Sequence, residues 1–312
     1  MSPVSNDRSG FTLVETVVSI AIVGILVAIV LPSVQSARTT AAKLSCENRL
    51  RQIVIAADSY QEVYRVYPVT IMPFRSLLPF LEQSAAYERL IQHLPTALNV
   101  TTYLCPSDPR GDLSQGHVSY VVNDGSGWVA RVFPNFNYAV YDGACLGQGQ
   151  YSRPADFTDG LSQTAFFSER KINVVDEVVT EEIAESEPNR FLWYLGVSFV
   201  LPDELEMFRQ ECKTSRIDAT PHLSATYQFA IQQDLGYNHA LTPNLPGCHN
   251  GASGSDSARE ILFSLRPATS YHVGGVNVAF LDGHVRFVSD NIDSTVWRAI
   301  STRQGMETIG DF

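Results

Sequence analysis

The sequence predicts an α+β protein: one long amino-terminal helix, apolar over its first half, followed by a head of mostly antiparallel sheet. Three observations carry this. An apolar run over residues 11–31 leads into three-to-four-residue apolar spacing as far as Tyr64. Beyond residue 119 the chain changes to short β-rich runs punctuated by Asp, Asn and Gly. Near the carboxy terminus, alternating residues flank Asp282-Gly283, a strong short-range signal for a hairpin with a two-residue type I′ turn.

The 21 residues from Phe11 to Leu31 make about 31 Å of helix at roughly 1.5 Å per residue, the thickness of a bilayer's hydrocarbon core. One carboxylate, Glu15, lies near the start of the run. An intramembrane acid costs at least about 2.5 kcal/mol on insertion scales, so its presence points to a partner or a task. The ten preceding residues are polar, and the small residue Gly10 stands before the apolar run rather than after it. That order is the reverse of a secretory signal: cutting after Gly10 leaves the apolar helix on the mature chain.

Gly10-Phe11-Thr12-Leu13-Val14-Glu15, with Pro32 at the end of the run, resembles the type IV prepilin family, including the pseudopilins of type II secretion. The resemblance implies a prepilin peptidase that cuts between Gly10 and Phe11 and methylates the new amine of Phe11. It also implies that Glu15 pairs with the first-residue amine of a neighbouring subunit, making a costly buried charge an assembly contact. The other reading of Glu15 is an acid that snorkels to the interface of an ordinary anchor. Charge does not fix orientation, since Arg8 is the single base before the run while Arg38, Lys43, Arg49 and Arg51 follow it. The prepilin motif implies a single pass through the inner (cytoplasmic) membrane with the head extracytoplasmic, in the periplasm.

From Ser33 to Tyr64, Ala37, Ala41, Leu44, Leu50, Ile53, Val54, Ala57, Tyr60 and Tyr64 keep helical spacing without Gly or Pro, and Pro68 is expected to end the helix. A shorter helix is predicted over residues 74–93, with Pro79 at a break or first turn. Strands are predicted at 119–122 before a turn at Asn123-Asp124-Gly125, at 136–140, and at 165–167 after Asp159-Gly160. Residues 174–257 form a loop-rich insertion: a strand-like run around Trp193, a helix start at 202–208, and a Gly-, Pro- and Asn-rich tail. A last helix is expected around 293–303. The predicted organisation is a leader over 1–10, a transmembrane helix over 11–31, a stalk over 32–66, and a head over 67–312.

A second resemblance covers nearly the whole chain. Residues 48–53 with Tyr60, residues 103–109 around Cys105-Pro106, residues 157–164 with Glu169, and His272 followed after nine residues by Asp282-Gly283 resemble the H-x9-DG prepilin-type family of uncharacterised function. Val273 stands where that family commonly has proline, and Gln163 where asparagine is common. The resemblance adds architecture, pilin-like with a long helix packed on the head, and no chemistry.

A net charge of −11 and a pI near 5.1 argue against a nucleic-acid surface, and no Lys or Arg run suggests a basic groove. Five cysteines lack C-x-x-C and zinc-finger histidine spacing, so no zinc site is predicted. Cys212 with Cys248 is the favoured disulfide, and the odd count leaves at least one cysteine outside intramolecular pairs. No G-x-S-x-G, H-E-x-x-H, P-loop or dinucleotide motif occurs. His272 with Asp282 and His284 can be drawn as an acid–base or metal site. The favoured reading is structural: His272 bonding to hairpin backbone, Asp282 and Gly283 forming the turn, Gly274 and Gly275 allowing a close approach. Some pseudopilins of the resembled kind bind calcium through loop carboxylates, and Asp124, Asp142, Asp156 and Asp159 lie in suitable loops, without EF-hand spacing. The expected work is that of a non-enzymatic pilin or pseudopilin subunit without a cofactor, whose partners are the peptidase, related pilin subunits and the membrane. The alternative is a membrane-anchored binding or hydrolytic domain that uses the prepilin signal only for export.

Overall fold

The computed structural model describes residues 13–68, 72–92, 100–110, 116–127, 129–130, 141–145, 150–172, 180–196, 204–214, 218–220, 235–250, 263–307 and 310. Gly10, Phe11 and the strand expected at 136–140 lie outside them. The chain divides into two compact units, Met1–Leu44 and Ser45–Phe312.

The described part of the first unit is helix. Helix α1 spans Leu13–Tyr64 with Pro32 inside it, and it is long and apolar enough to cross a membrane. Its side chains are exposed from Leu13 to Ala41. The hydroxyls in this stretch turn back on the helix itself: Thr16 donates to the Leu13 carbonyl (3.0 Å), Ser19 to Glu15 (2.7 Å) and Ser33 to Val30 (2.8 Å). Polar side chains satisfied in this way can sit in an otherwise apolar helix. Glu15 lies in the first described turn, where the helix dipole favours a negative charge.

In the second unit α1 continues from Ser45. Cys46, Leu50, Ile53, Val54 and Ala57 are buried, the spacing of a single helix face. The helix stops at Tyr64 rather than at Pro68, because Arg65 takes a left-handed conformation at φ 65°. The helix predicted over 74–93 is broken around Pro79 into α2 (Pro73–Leu77), a 3-10 turn (Leu78–Leu81) and α3 (Ser84–Ile91).

One sheet joins β10 (Val285–Ser289), β9 (Gly275–Phe280), β3 (Ala165–Glu169), β1 (Tyr120–Gly125) and β6 (Gly236–Asn238) in that order. Its pairs are antiparallel except for β1 with β6. Both faces are covered, and alternation decides which residue faces which core. Tyr120, Val122 and Ala279 join the buried face of α1, while Val121, Val276, Val278 and Phe280 join the other face around Trp297. A register shift between Ala165 and Phe167 puts both Phe166 and Phe167 on the α1 side, as an extra residue in a strand does. Trp297 belongs to the last helix, α6 (Ser294–Ala299), which is capped by Asp293 accepting from the Thr295 and Val296 amides.

A second sheet has the order β2 (Val129–Ala130), β8 (Phe263–Leu265), β7 (Gly247–His249), β4 (Leu192–Tyr194), β5 (Asp218–Thr220). Three of its strands come from residues 192–249, beyond α4 (Glu181–Ser186). They share a small core with α5 (Leu205–Thr214), built on Phe208, Leu195, Leu241 and Leu265. The Cys212–Cys248 disulfide ties α5 to β7, the pairing favoured from sequence.

Two turn predictions fail for identifiable reasons. Asn123-Asp124-Gly125 continues strand β1 instead of turning. The Asn123 amide is spent on tertiary contacts, donating to the Ala165 carbonyl (2.8 Å) and the Ser301 carbonyl (2.7 Å). The β9–β10 connection is not a two-residue type I′ turn. Gly283 has positive φ (90°) and Asp282 does not, while the Gly283 amide donates to the Phe280 carbonyl and the Phe280 amide to the His284 carbonyl. This is a three-residue loop ending in a left-handed glycine, and it carries Leu281 into the α1-facing core.

Candidate functional site

Four chemistry-bearing side chains from four distant segments meet beneath the start of the buried face of α1. Cys46 comes from α1, Cys105 follows the 3-10 turn Thr101–Tyr103, Glu169 ends β3, and His272 lies in the connection from β8 to β9. Cys46 and Cys105 form a disulfide. His272 Nε2 lies 3.2 Å from Glu169 Oε1 and 3.7 Å from Cys105 Sγ. One ligand-type atom from each of the four residues falls within 4.8 Å of the others. All four residues are buried, His272 most exposed at 8%.

Each group is held by neighbours. Glu169 Oε2 accepts from the Asn277 amide (2.8 Å), and Oε1 accepts from Asn277 Nδ2 (3.0 Å), so the adjacent strand β9 fixes the carboxylate. Ser270 Oγ donates to the Gly275 carbonyl (2.7 Å) and accepts from the His272 amide (3.1 Å), shaping the loop that presents the imidazole. The Cys105 amide donates to Ser119 Oγ (2.9 Å). Tyr120 donates its hydroxyl to the Cys46 carbonyl (3.2 Å), and Arg49 donates to the Leu104 carbonyl. Burial, reinforced by Glu169, pushes the Tyr120 hydroxyl well above the ordinary tyrosine range, which keeps it a donor.

Tyr271, the residue before His272, belongs to a polar network. Arg110 pairs with Glu187 at 2.7 Å, and the Tyr271 hydroxyl donates to Glu187 Oε1 (3.0 Å). Lys171 Nζ lies 4.4 Å from the Tyr271 ring centroid. Val273, beside His272, is 99% exposed.

The residues singled out from sequence are distributed as follows. Among the described residues, the His272 ring contacts Glu169 Oε1 and Cys105 Sγ rather than hairpin backbone. Asp282 lies at the opposite end of β9 from His272, where its carboxylate accepts from the His284 amide and contacts His284 Nδ1 at 2.5 Å. The drawn His272–Asp282–His284 site is therefore not assembled. Gly275 does serve a close approach: a Cβ there would lie 2.1 Å from the Val288 carbonyl oxygen. Of the loop carboxylates, Asp142 accepts from Ser126, Asp156 from Arg153, and Asp159 from the Gly305 and Met306 amides. Asp124 is buried between the charges of Arg170 and Arg266, and burial raises its carboxyl strongly. Glu15 is described, on α1, whereas Gly10 and Phe11 are not.

Sequence reasoning missed the Cys46–Cys105 disulfide and the place of Glu169. A signal was present: Cys105, Glu169 and His272 each belong to a separate motif piece shared with the resembled family, and Cys46 stands two residues before another.

An apolar amino-terminal helix of this length, followed by an α+β head, is the architecture of a prepilin-type protein. A family model described as a prokaryotic N-terminal methylation motif matches residues 5–31. The chain belongs to the family described as protein of unknown function (DUF1559), whose model matches residues 35–295. No curated protein and no solved structure matches the chain.

Proposed function

We propose that this chain is a pilin- or pseudopilin-like structural subunit, cut between Gly10 and Phe11 by a prepilin peptidase. It is then assembled through its amino-terminal helix in a type II secretion or type IV pilus-like system. The observation that carries the reading is the pairing of the methylation motif over residues 5–31 with helix α1, whose apolar side chains are exposed from Leu13 to Leu31 and whose first turn holds Glu15. Such a surface matches lipid or the same helix of another subunit, and packing between subunits gives Glu15 an amine partner at Phe11. On this reading the inner membrane holds the helix and the head lies in the periplasm.

The test is mass spectrometry of the mature amino terminus combined with in-membrane crosslinking of wild type and Glu15→Ala. Methylated Phe11 at the terminus and multimers lost in the variant are expected. A chain that retains residues 1–10 refutes the processing, and multimers that survive in a correctly processed Glu15→Ala chain refute the assembly role.

A further inference from the structure

We infer that the Cys46–Cys105–Glu169–His272 cluster is a thiol-gated metal site: closed while the disulfide stands, and a tetrahedral site for a zinc-class divalent cation once a dithiol reductant opens it. This stands independently of subunit assembly.

The argument begins with the donor set. Two thiolates, one imidazole and one carboxylate are the ligand types that a borderline-soft, four-coordinate cation takes. Metal–nitrogen and metal–oxygen bonds of about 2.0–2.1 Å and metal–sulfur bonds of about 2.3 Å place tetrahedral ligands roughly 3.3–3.8 Å apart. One separation already falls there, His272 Nε2 to Cys105 Sγ at 3.7 Å, and Glu169 Oε1 to His272 Nε2 at 3.2 Å lies about 0.1 Å short of it. The four donor atoms lie within 4.8 Å of one another, so the two sulfurs need only separate.

The surroundings also suit an ion. All four residues are buried, which excludes competing water. Asn277 holds both oxygens of Glu169 through its amide and Nδ2, as outer groups hold a ligating carboxylate. The Arg49 guanidinium, bonded at Leu104, supplies positive charge near a site that would carry three anionic ligands. The carboxylate and the imidazole beside the two cysteines complete a four-donor set.

The chemistry balances. A dithiol transfers two electrons to the Cys46–Cys105 bond and becomes a disulfide, and its two protons go to the two cysteine sulfurs. Metal binding then releases both thiol protons to solvent. His272 gives up its Nε2 contact with Glu169 and coordinates through the Nε2 lone pair, with its proton on Nδ1, while Glu169 coordinates through Oε1.

The experiment uses the full chain in detergent under anaerobic conditions, with and without dithiothreitol, titrated with Co2+ and separately with Zn2+. Metal per chain is measured after desalting, together with the thiolate-to-cobalt charge-transfer absorption and peptide-resolved alkylation of cysteines. Expected is about one metal per chain in the reduced protein alone, with Zn2+ protecting Cys46 and Cys105 from alkylation. The Cys212→Ser/Cys248→Ser chain should bind equally well. His272→Ala should weaken binding by at least about tenfold, the loss that even an outer-shell partner causes. Should reduction loosen the head, added metal is expected to restore its circular dichroism. The proposal is overturned if the reduced chain takes up no metal. It is equally overturned if the oxidised chain binds as well, or if Cys46→Ser/Cys105→Ser keeps the cobalt signal.

Discussion

Glu169 and His272, 103 residues apart, meet in a 3.2 Å contact between two buried side chains. The contact joins the end of β3 to the connection before β9, and it touches the disulfide that crosslinks α1. Any substitution at either residue therefore reports on three elements at once.

Glu169→Ala removes the acceptor of the Asn277 amide and of Asn277 Nδ2, leaving buried donors unmet. Each such donor costs about 1–3 kcal/mol. Glu169→Gln keeps an oxygen in place. The expected order of urea midpoints is wild type, then Gln, then Ala, with the unfolding free energy of Ala down by at least about 2 kcal/mol. Equal midpoints for Ala and wild type would remove the carboxylate from the account of the fold.

Non-reducing peptide mapping should find Cys46 joined to Cys105 and Cys212 to Cys248, with Cys145 free. Burial, then Asp124, pushes the Cys145 thiol well above its usual range, so iodoacetamide should label it only after unfolding. Cys46→Ser/Cys105→Ser releases a loop of 59 residues, worth about 4 kcal/mol in the chain-entropy picture. Rapid native labelling of Cys145 would contradict this burial.

Two buried histidines make stability fall in acid. Burial lowers His239 to about 3 and His249 to about 4, the latter helped by Arg266. Below about pH 6.5 the unfolded chain binds protons that these rings refuse. Their contribution is complete above pH 6.5 and is lost as the pH falls towards 4 and 3, at up to about 1.4 kcal/mol per unit for each ring. Carboxyls oppose them: burial raises Asp124 strongly and raises Asp108 and Asp290, and burial, then Glu62 and Asp282, raises Asp58 to about 6. Its penalty is present above pH 6 and relieved below it, but the half-exposed group weighs less. Denaturation at pH 7 and pH 5 should show His239→Phe losing less stability, or gaining more, on acidification than the wild type, and an identical change in both chains would remove His239 from this account. A chain more stable at pH 5 would mean that carboxylates dominate.

Gly275 and Gly274 should respond differently to alanine. A Cβ at Gly275 meets the Val288 carbonyl at 2.1 Å, whereas at Gly274 it meets nothing but the φ of 85°. Gly275→Ala is expected to cost about 3 kcal/mol by forcing β9 from β10, and Gly274→Ala about 1 kcal/mol. Equal melting temperatures for the two variants would show that the strands part freely.

Much of this is legible in the sequence. The long helix, the hairpin strands and Cys212–Cys248 all rest on local pattern, because the residues that decide them lie within one segment. What was hidden depends on distant partners. Asn123 looks like a turn residue until Ala165 and Ser301 supply carbonyls for its amide. Asp282-Gly283 fits a tighter turn, and it is the burial of Leu281 against α1 that widens the loop. His272, Glu169 and Cys105 sit in three separate motif pieces and Cys46 stands two residues before a fourth, and no spacing along the chain records that they converge.

Cys46 is the first buried residue of a helix that runs unbroken from Leu13, and it is also the residue crosslinked to Cys105. Tension applied along that helix therefore travels through hydrogen-bonded backbone until it meets a covalent rivet. With the rivet intact, extracting the helix from the fold requires breaking a sulfur–sulfur bond. With it reduced, side-chain packing and hydrogen bonds such as Tyr120 to the Cys46 carbonyl resist the pull, so the redox state of one bond changes the mechanical strength of the joint.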